Sequence, residues 1–250
     1  MNYNNNHIKD VTLVAVTSVA INATIRAIKK CQDEASFGSI LLLSDRFPSQ
    51  IMEGVEFEMI NPIKSREDYS KFIIKDLARY IRTTHALLVQ WDGYILDGFR
   101  WQDKFLDYDY IGAPWPHFSD RYVVGNGGFS LRSKKLLEAC RNLPLKNGEP
   151  EDVLICRHYR EYLEQTHALR FAPEHLARQF AYERMEKIGT EFGFHGVFNM
   201  FRDMPSAEFS AILATLEPRL LGRQESNEII WGALRRGHFK TLMQCWRQRF

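Results

Sequence analysis

Hydrophobic residues in the N-terminal part of the chain fall into short apolar runs and stretches with helical spacing. Val11–Val16, Ser39–Leu43 and Ala86–Val89 are apolar runs of the length that buried strands have. Between the first two runs, Ile21–Lys30 places apolar residues three and four positions apart, which predicts a helix with one buried face. Asp68–Arg82 has the same spacing and precedes the third run. Strands and helices that alternate over short links indicate a parallel sheet.

The remaining pattern predicts a mixed chain that becomes all-helical after Ser206. Further strands are predicted at Val55–Ile60, Asp107–Gly112 and Leu169–Ala172, another ordered element at Phe129–Ser133, helices at Ser133–Cys140, Asp152–Gln165 and Glu174–Glu183, and a loop at Phe192–Phe198. We therefore expect an α/β fold with a mostly parallel central sheet flanked by helices and a helical C-terminal appendage. The expected domains are residues 1–204 and 205–250.

Composition narrows the functional classes. The 250 residues are 45% hydrophobic and 13% aromatic, which is enough for a sizeable core. A net charge of +2 is not the signature of a nucleic-acid-binding protein. No apolar stretch approaches the roughly 18 to 20 residues of a membrane span, and the polar start is unlike a secretory signal. The four cysteines lack CxxC spacing, so we expect a cytoplasmic protein without disulfides or a zinc site.

The third apolar run ends in Trp91-Asp92-Gly93, the first candidate site. Asp92 either caps the turn that follows the strand or is a ligand for a hard cation such as magnesium or manganese. For an isolated Asp-Gly the capping interpretation is favoured, but ligands of open α/β sheets do bind at the carboxyl ends of strands, which keeps the second interpretation open. Trp91 could form a wall for a sugar or a base.

Glycine and acidic residues mark two further candidates. Gly125–Gly128 is either a loop that needs positive φ or a backbone that approaches a bulky ligand, with Asn126 as a hydrogen-bonding group. Glu151 and Asp152 either stabilise a helix N-terminus or supply a general base. His195, between Phe194 and Gly196, is either a packed residue or the partner of a carboxylate at a divalent metal site.

These motifs, taken in order, resemble glycosyltransferases of the GT-A type, and especially a bacterial group of uncharacterised glycosyltransferase-like domains. The resemblance covers roughly Thr12 to Asn199. It rests on Val89–Tyr94, Tyr110–Trp115, Val124–Ser133, Pro150–Val153, Phe171–Ala177 and Phe192–Gly196. It implies a GT-A-like (Rossmann-like) sheet and a nucleotide-sugar donor, commonly a UDP-sugar.

The resemblance also implies roles for donor-binding residues. Such enzymes hold a divalent metal, Mn²⁺ or Mg²⁺, with an acidic Asp-x-Asp motif. Gln90-Trp91-Asp92 stands at that position and keeps only the last acid, so Asp92 and His195 are the expected metal ligands. The residues expected to contact the nucleotide-sugar are Thr17, Ser18, Asp45, Trp91, Asn126, Gly127 and Gly128.

Catalysis follows from the same resemblance. Asp152, with Glu151 second, resembles the base of inverting members, which would activate a hydroxyl of a glycan or lipid-linked acceptor. One alternative is a non-catalytic module that binds a nucleotide or sugar. Another is a nucleotidyltransferase-type enzyme on a similar sheet, although the clustered acids or phosphate-binding cations that it needs near Asp92 are not evident.

The C-terminal stretch Ile229–Phe250 carries five cations, no acid and several aromatic residues. It is either a helix that docks on the domain by its apolar face, a helix at the inner surface of the membrane, or a contact for a partner subunit.

Overall fold

The computed structural model describes residues 6–48, 52–146, 148–217 and 220–249, and it begins with the strand–helix–strand unit that the sequence predicts. Strand β1 spans Asn6–Thr17, helix α1 spans Ile21–Glu34 and strand β2 spans Ala35–Ser44. The two strands pair in parallel, with Leu13 opposite Ile40. Helix α1 buries Ala23, Ala27, Ile28 and other small or apolar residues of one face, as the spacing of its apolar positions requires.

The chain continues with seven further strands and nine further α-helices among the described residues. The strands are β3 (Glu56–Met59), β4 (His85–Val89), β5 (Tyr94–Ile95), β6 (Tyr110–Gly112), β7 (Phe129–Ser133), β8 (Ala181–Tyr182) and β9 (Gly193–Phe194). The helices are α2 (Arg66–Lys75), α3 (Lys134–Cys140), α4 (Glu151–Val153), α5 (Arg160–His167), α6 (Glu174–Phe180), α7 (Val197–Asp203), α8 (Ser206–Thr215), α9 (Arg223–Arg236) and α10 (Phe239–Arg249).

Six of these strands form the central sheet, in the order β3-β2-β1-β4-β7-β6. The first four are parallel, whereas β7 runs antiparallel to both of its neighbours. The prediction of an α/β fold with a mostly parallel sheet is therefore confirmed. The strand order reverses between β1 and β4, and a crevice opens at such a switch point outside the carboxyl ends of the strands.

A small second sheet connects two distant parts of the chain. Its order is β5-β9-β8, and Tyr94 of β5 lies opposite Phe194 of β9. The backbone N–H of Gly196 donates to the carbonyl of Asp92 at 3.0 Å. This pairing brings the turn after β4 next to His195.

The core lies on both faces of the central sheet. Alternate residues of β1 point in opposite directions, so Leu13 and Ala15 belong to one buried cluster and Val14 and Val16 to the other. A strand that is buried on both faces needs apolar residues at successive positions, which explains why the sequence shows continuous runs instead of alternation.

Three local predictions were wrong. Leu169–Ala172 forms one parallel bridge between Phe171 and Tyr110 instead of a strand. The helix predicted at Asp152–Gln165 is broken into α4, a π-helical segment at Leu154–His158, and α5. The predicted loop Phe192–Phe198 contains β9 and the first residues of α7, because the backbone of Gly193 pairs with that of Ile95.

The C-terminal helices α8, α9 and α10 pack beside α1 and α7. Arg26 of α1 forms an ion pair of 2.5 Å with Glu208 of α8. The single basic helix predicted at Ile229–Phe250 is two helices that meet at Gly237, whose φ of +67° suits the left-handed end of α9. None of the described helices is long and apolar enough to cross a membrane. The boundary between residues 204 and 205 stays a prediction.

Candidate functional site

A pocket of about 300 Å³ opens where the carboxyl ends of β1 and β4 meet. Thr17 and Ser18 line it from the end of β1, and Gln90 and Trp91 line it from the end of β4. Three of the residues expected to bind the donor therefore share one cavity, at the switch point where open α/β sheets bind their ligands.

Two cations also line this pocket. Lys64 precedes α2, and Arg66 is the first residue of that helix. Both are exposed. Sequence reasoning missed them because single basic residues in a loop carry no pattern. Cationic groups at this position suit a phosphate or diphosphate.

Asp45 lies outside the residues that line the pocket. Its Oδ1 atom is buried and lies 3.8 Å from Nε of Arg46. The guanidinium of Arg46 in turn donates to the backbone carbonyl of Ser18. Arg46 therefore connects Asp45 to Ser18 at the pocket, and the predicted contact of Asp45 with the donor stays a prediction.

Asp92 and His195, the predicted metal ligands, face each other. Oδ1 of Asp92 lies 3.3 Å from Nε2 of His195, and Oδ2 accepts the backbone N–H of Val197 at 3.1 Å. Oδ1 is buried and has no hydrogen-bond partner among the described residues. Nε2 of His195 also lies 3.2 Å from Oε1 of Gln90, which lines the pocket. Gln90 thus connects the pocket to the Asp92–His195 pair.

Glu183 holds the other side of the imidazole ring. Its Oε1 atom lies 3.1 Å from Nδ1 of His195. Burial by itself lowers the pKa of His195, but the negative charge of Asp92, 3.3 Å away, and the charge and hydrogen bond of Glu183 outweigh burial and hold that pKa well above its ordinary value. Burial raises the pKa of Glu183, but the hydrogen bond and the charge of His195 lower it by more, so this pKa lies below its ordinary value. A carboxylate on Nδ1 fixes the ring so that Nε2 faces Asp92.

The glycine-rich loop packs directly on this ring. A Cβ atom at Gly128 would lie 2.0 Å from Nε2 of His195. Asn126 adopts a φ of +63°, and its Nδ2 lies 3.3 Å from Nδ1 of His195. The backbone at Gly128 therefore lies close to the side chain of His195. The approach of this loop to a ligand stays a prediction.

Gly128→Ala is expected to push the His195 ring away from Asp92. It should lower the free energy of unfolding by about 1–3 kcal/mol, as overpacking does. The stability of the variant measured by thermal unfolding checks this expectation. In a His195→Ala background the obstructing ring is absent, so the same glycine substitution should cost little. An equal cost in both backgrounds would contradict the proposed contact.

Glu151 and Asp152, the two acids next to this loop, lie in different environments. Glu151 is buried, and its Oε1 atom accepts from Nη2 of Arg132 at 2.8 Å. Arg132 is fully buried and also donates to Oγ of Ser130. Burial lowers the pKa of Arg132, but neighbouring Tyr110 and Glu151 raise it, and the pKa is raised overall. This geometry gives Glu151 a structural partner.

Asp152 is half-buried and touches the glycine-rich loop. Its Oδ2 atom accepts the backbone N–H of Gly127 at 2.8 Å, and its Oδ1 accepts that of Val153 at 2.8 Å. Burial and the negative charge of Glu151 raise the pKa of Asp152 to about 7. A carboxyl group that titrates near neutral pH suits general-base catalysis.

Two residues fit part of a divalent metal site. Asp92 offers a buried oxygen without a hydrogen-bond partner, and His195 offers Nε2 within 3.3 Å of it. Oxygen and imidazole ligands suit Mn²⁺ and Mg²⁺. The described residues contain no group of three or more His, Cys, Asp and Glu side chains that could hold a metal ion. A metal bound here would therefore need ligands from the substrate or from water.

Comparison with known proteins assigns a family. Residues 52–195, more than half of the chain, match the family described as "Protein of unknown function (DUF5672)". The chain belongs to this family. The DUF5672 match includes Asp92, Asp152 and His195 and excludes the β1 end with Thr17 and Ser18. No curated relative matches the chain.

Two solved structures are similar to this DUF5672 chain. Galactosyltransferase LgtC, in complex with donor and acceptor sugar analogs, covers 87% of this chain and 99% of its own, with 11% identity and a TM-score of 0.45. A glycosyltransferase involved in the glycosylation of the major capsid of PBCV-1 covers 80% of this chain and 96% of its own, with 12% identity and a TM-score of 0.48.

Proposed function

We propose that the protein is a glycosyltransferase that moves a sugar from a nucleotide-sugar, in particular a UDP-sugar, to an acceptor hydroxyl. One observation carries the proposal. Gln90 lines the pocket at the switch point and also contacts His195, so a ligand that fills the pocket can extend to the Asp92–His195 pair. A nucleoside diphosphate followed by a sugar has this extended shape.

The pocket suits the nucleotide end of such a donor. Trp91 offers an aromatic wall for a base, and the hydroxyl-bearing residues Thr17 and Ser18 offer hydrogen-bonding groups for the base and ribose. Lys64 and Arg66 supply positive charge for the diphosphate. The volume of about 300 Å³ is at the lower limit for small-molecule sites, so only part of the donor would be enclosed.

The Asp92–His195 pair would hold a divalent metal on the diphosphate. When bound, a metal ion would neutralise charge that develops on the leaving nucleoside diphosphate. Asp92 would contribute its buried Oδ1, and His195 would contribute Nε2 in the deprotonated form, while Glu183 keeps the ring oriented through Nδ1. His195 is thus fixed before any ligand binds.

Asp152 would be the base that removes the proton of the acceptor hydroxyl. Its backbone hydrogen bonds from Gly127 and Val153 fix the carboxylate at the edge of the glycine-rich loop. As the carboxylate takes this proton, the acceptor oxygen would bond to the anomeric carbon on the face opposite the leaving nucleoside diphosphate, which inverts that carbon. The acceptor would be a glycan or a lipid-linked glycan.

Calorimetric titration of UDP with Mn²⁺, repeated in EDTA, tests the donor site. We expect wild-type protein and the surface control Asp10→Asn to bind UDP in a metal-dependent way. Asp92→Asn should lose the metal-dependent part, with an affinity at least about tenfold weaker, since one charged ligand is removed. Metal-dependent binding that persists unchanged in Asp92→Asn would refute the ligand assignment, and no UDP binding by folded wild-type protein would refute the donor class.

A further inference from the structure

A second, larger cavity lies between α7 and α9. Its volume is about 1000 Å³, and its walls carry four arginines, Arg202, Arg223, Arg235 and Arg236. We call this cavity the arginine groove. Helix α7 begins directly after Gly196, and its N-terminal Val197 donates to Asp92. Helix α7 therefore contacts the metal-ligand candidate Asp92 at its first residue and lines the groove with Phe198, Phe201 and Arg202.

The groove has an excess of positive charge. None of its four arginines forms an ion pair with a carboxylate of the described residues. The acid on its wall, Glu228, pairs with Arg184 at 2.6 Å and is neutralised by it. Guanidinium groups that lack a protein counter-ion bind carboxylates and phosphates with two parallel hydrogen bonds.

Aromatic rings orient these cations and give the groove a second property. The guanidinium of Arg236 lies 5.1 Å from the ring centre of Phe201, and that of Arg202 lies 5.8 Å from the ring centre of Phe198. Such contacts restrict the side chains before a ligand arrives. Trp231 lines the same groove with 65% of its surface exposed. An exposed indole face packs well on the C–H face of a sugar ring.

Close helix packing forms one end of the cavity. A Cβ atom at Gly232 would lie 2.5 Å from Cε1 of Phe201, so α7 and α9 touch at this glycine. The polar amides of Gln224 and Asn227 lie along the wall as well. Cations, amides and an exposed indole in one concave surface favour a saccharide that carries negative charge.

We propose that the arginine groove binds an anionic saccharide, with carboxylate or phosphate groups on its sugars, as the acceptor of the transfer reaction. The role of this saccharide as acceptor rests on the proposed function. Helix α7 supports that role, because it links the groove to Asp92 and His195. The binding of an anionic saccharide itself depends only on the groove.

Titration calorimetry with tetragalacturonate and with uncharged maltotetraose tests the groove. We expect tetragalacturonate to bind, and maltotetraose to bind at least about tenfold more weakly, because it offers no partner for the arginines. The double variant Arg223→Gln with Arg235→Gln should weaken tetragalacturonate binding about tenfold or more. Trp231→Ala should weaken it too. These side chains are exposed, so the melting temperature should stay unchanged.

Lys240→Gln with Arg247→Gln is the matched control, since both cations are exposed on α10 and lie outside the groove. The control should keep wild-type affinity for tetragalacturonate. An equal loss in the control and in the groove variant, equal affinity for both saccharides, or no binding of tetragalacturonate would overturn the inference. Binding to phosphatidylglycerol vesicles that requires Arg223 and Arg235, without binding of the saccharide, would assign the groove to a lipid and overturn it as well.

UDP titration separates this inference from the proposed function. Protein that binds tetragalacturonate through the groove but does not bind UDP would keep the anionic-saccharide site and refute the transferase. Protein that binds UDP with Mn²⁺ but shows no saccharide binding would keep the donor site and refute the groove.

Discussion

Asp152→Asn is expected to abolish sugar transfer and to leave UDP binding unchanged. Asparagine has nearly the same shape, and its carbonyl oxygen can still accept the N–H of Gly127 that now binds Oδ2. It cannot accept a proton. Loss of a general base typically costs about 10²–10⁴-fold in rate. Initial rates with a UDP-sugar and acceptor, and UDP titration of the same sample, measure the two quantities separately.

The pH profile of the wild-type rate gives an independent check. Burial and the charge of Glu151 raise the pKa of Asp152 to about 7, and the base acts only in its deprotonated form. The rate should therefore rise with pH through about 7, where half of the base is deprotonated, and level off about one pH unit higher. The residual rate of Asp152→Asn should lack this dependence. Asp10→Asn is the control, because Asp10 is exposed and lies far from Asp152 in the sequence. This variant should keep both the wild-type rate and the wild-type pH profile.

Full activity in Asp152→Asn would remove Asp152 as the base. The non-catalytic alternative predicts another result. In that case wild-type protein binds UDP but transfers nothing, and Asp152→Asn behaves identically, because the site binds a nucleotide without turnover. The Gln90-Trp91-Asp92 sequence, with one acid instead of two, is the feature that motivates this alternative.

The parts of the fold that follow from local pattern could be predicted. The apolar run Ala86–Val89 is a strand buried on both faces, and the residues after it do lie at the switch point of the sheet. The carboxyl ends of parallel strands lie at the same edge of a sheet, so the sequence predicts that Thr17 and Trp91 lie close together. The prediction that Asp92 and His195 meet came from the order of motifs and is consistent with the pairing of β5 with β9.

Contacts between distant residues with no motif could not be predicted. Glu183 lies 12 positions before His195. The helix predicted at Glu174–Glu183 is present as α6 but ends at Phe180, and Glu183 follows strand β8 at Ala181–Tyr182. The break in the helix after Asp152 arises from the π-helical segment at Leu154–His158, which periodicity cannot reveal. The predicted strand Leu169–Ala172 has the apolar residues of a strand but only one bridging partner.

The buried pair of Arg132 and Glu151 illustrates the same limit and carries a large energetic consequence. Read along the sequence, Glu151 and Asp152 look equivalent as acids before a helix. In the structure the side chains of Arg132 and Glu151 are 0% and 6% exposed, and 2.8 Å separates Nη2 from Oε1. Arg132 keeps its charge because of this partner, and its Nη1 is already without a hydrogen bond among the described residues.

Glu151→Ala is therefore expected to destabilise the protein by about 3–5 kcal/mol, because it leaves the buried guanidinium of Arg132 without a counter-charge. For a chain of this size the loss corresponds to a fall in melting temperature of roughly 10 °C. Thermal and urea unfolding measure it. Glu149→Ala is the control, since the partly exposed Glu149 forms a surface pair with His158 at 3.7 Å, and surface pairs contribute at most about 1 kcal/mol.

Glu151→Gln separates a structural role from a catalytic one. Glutamine can accept the hydrogen bond of Arg132 but supplies no charge, so its stability should fall between those of the wild type and Glu151→Ala. Folded Glu151→Gln should retain transfer activity, because Asp152 keeps its contact with Gly127. A variant with wild-type stability and no activity would reverse the assignment. The base would then be Glu151, and Arg132 would serve to hold it in position.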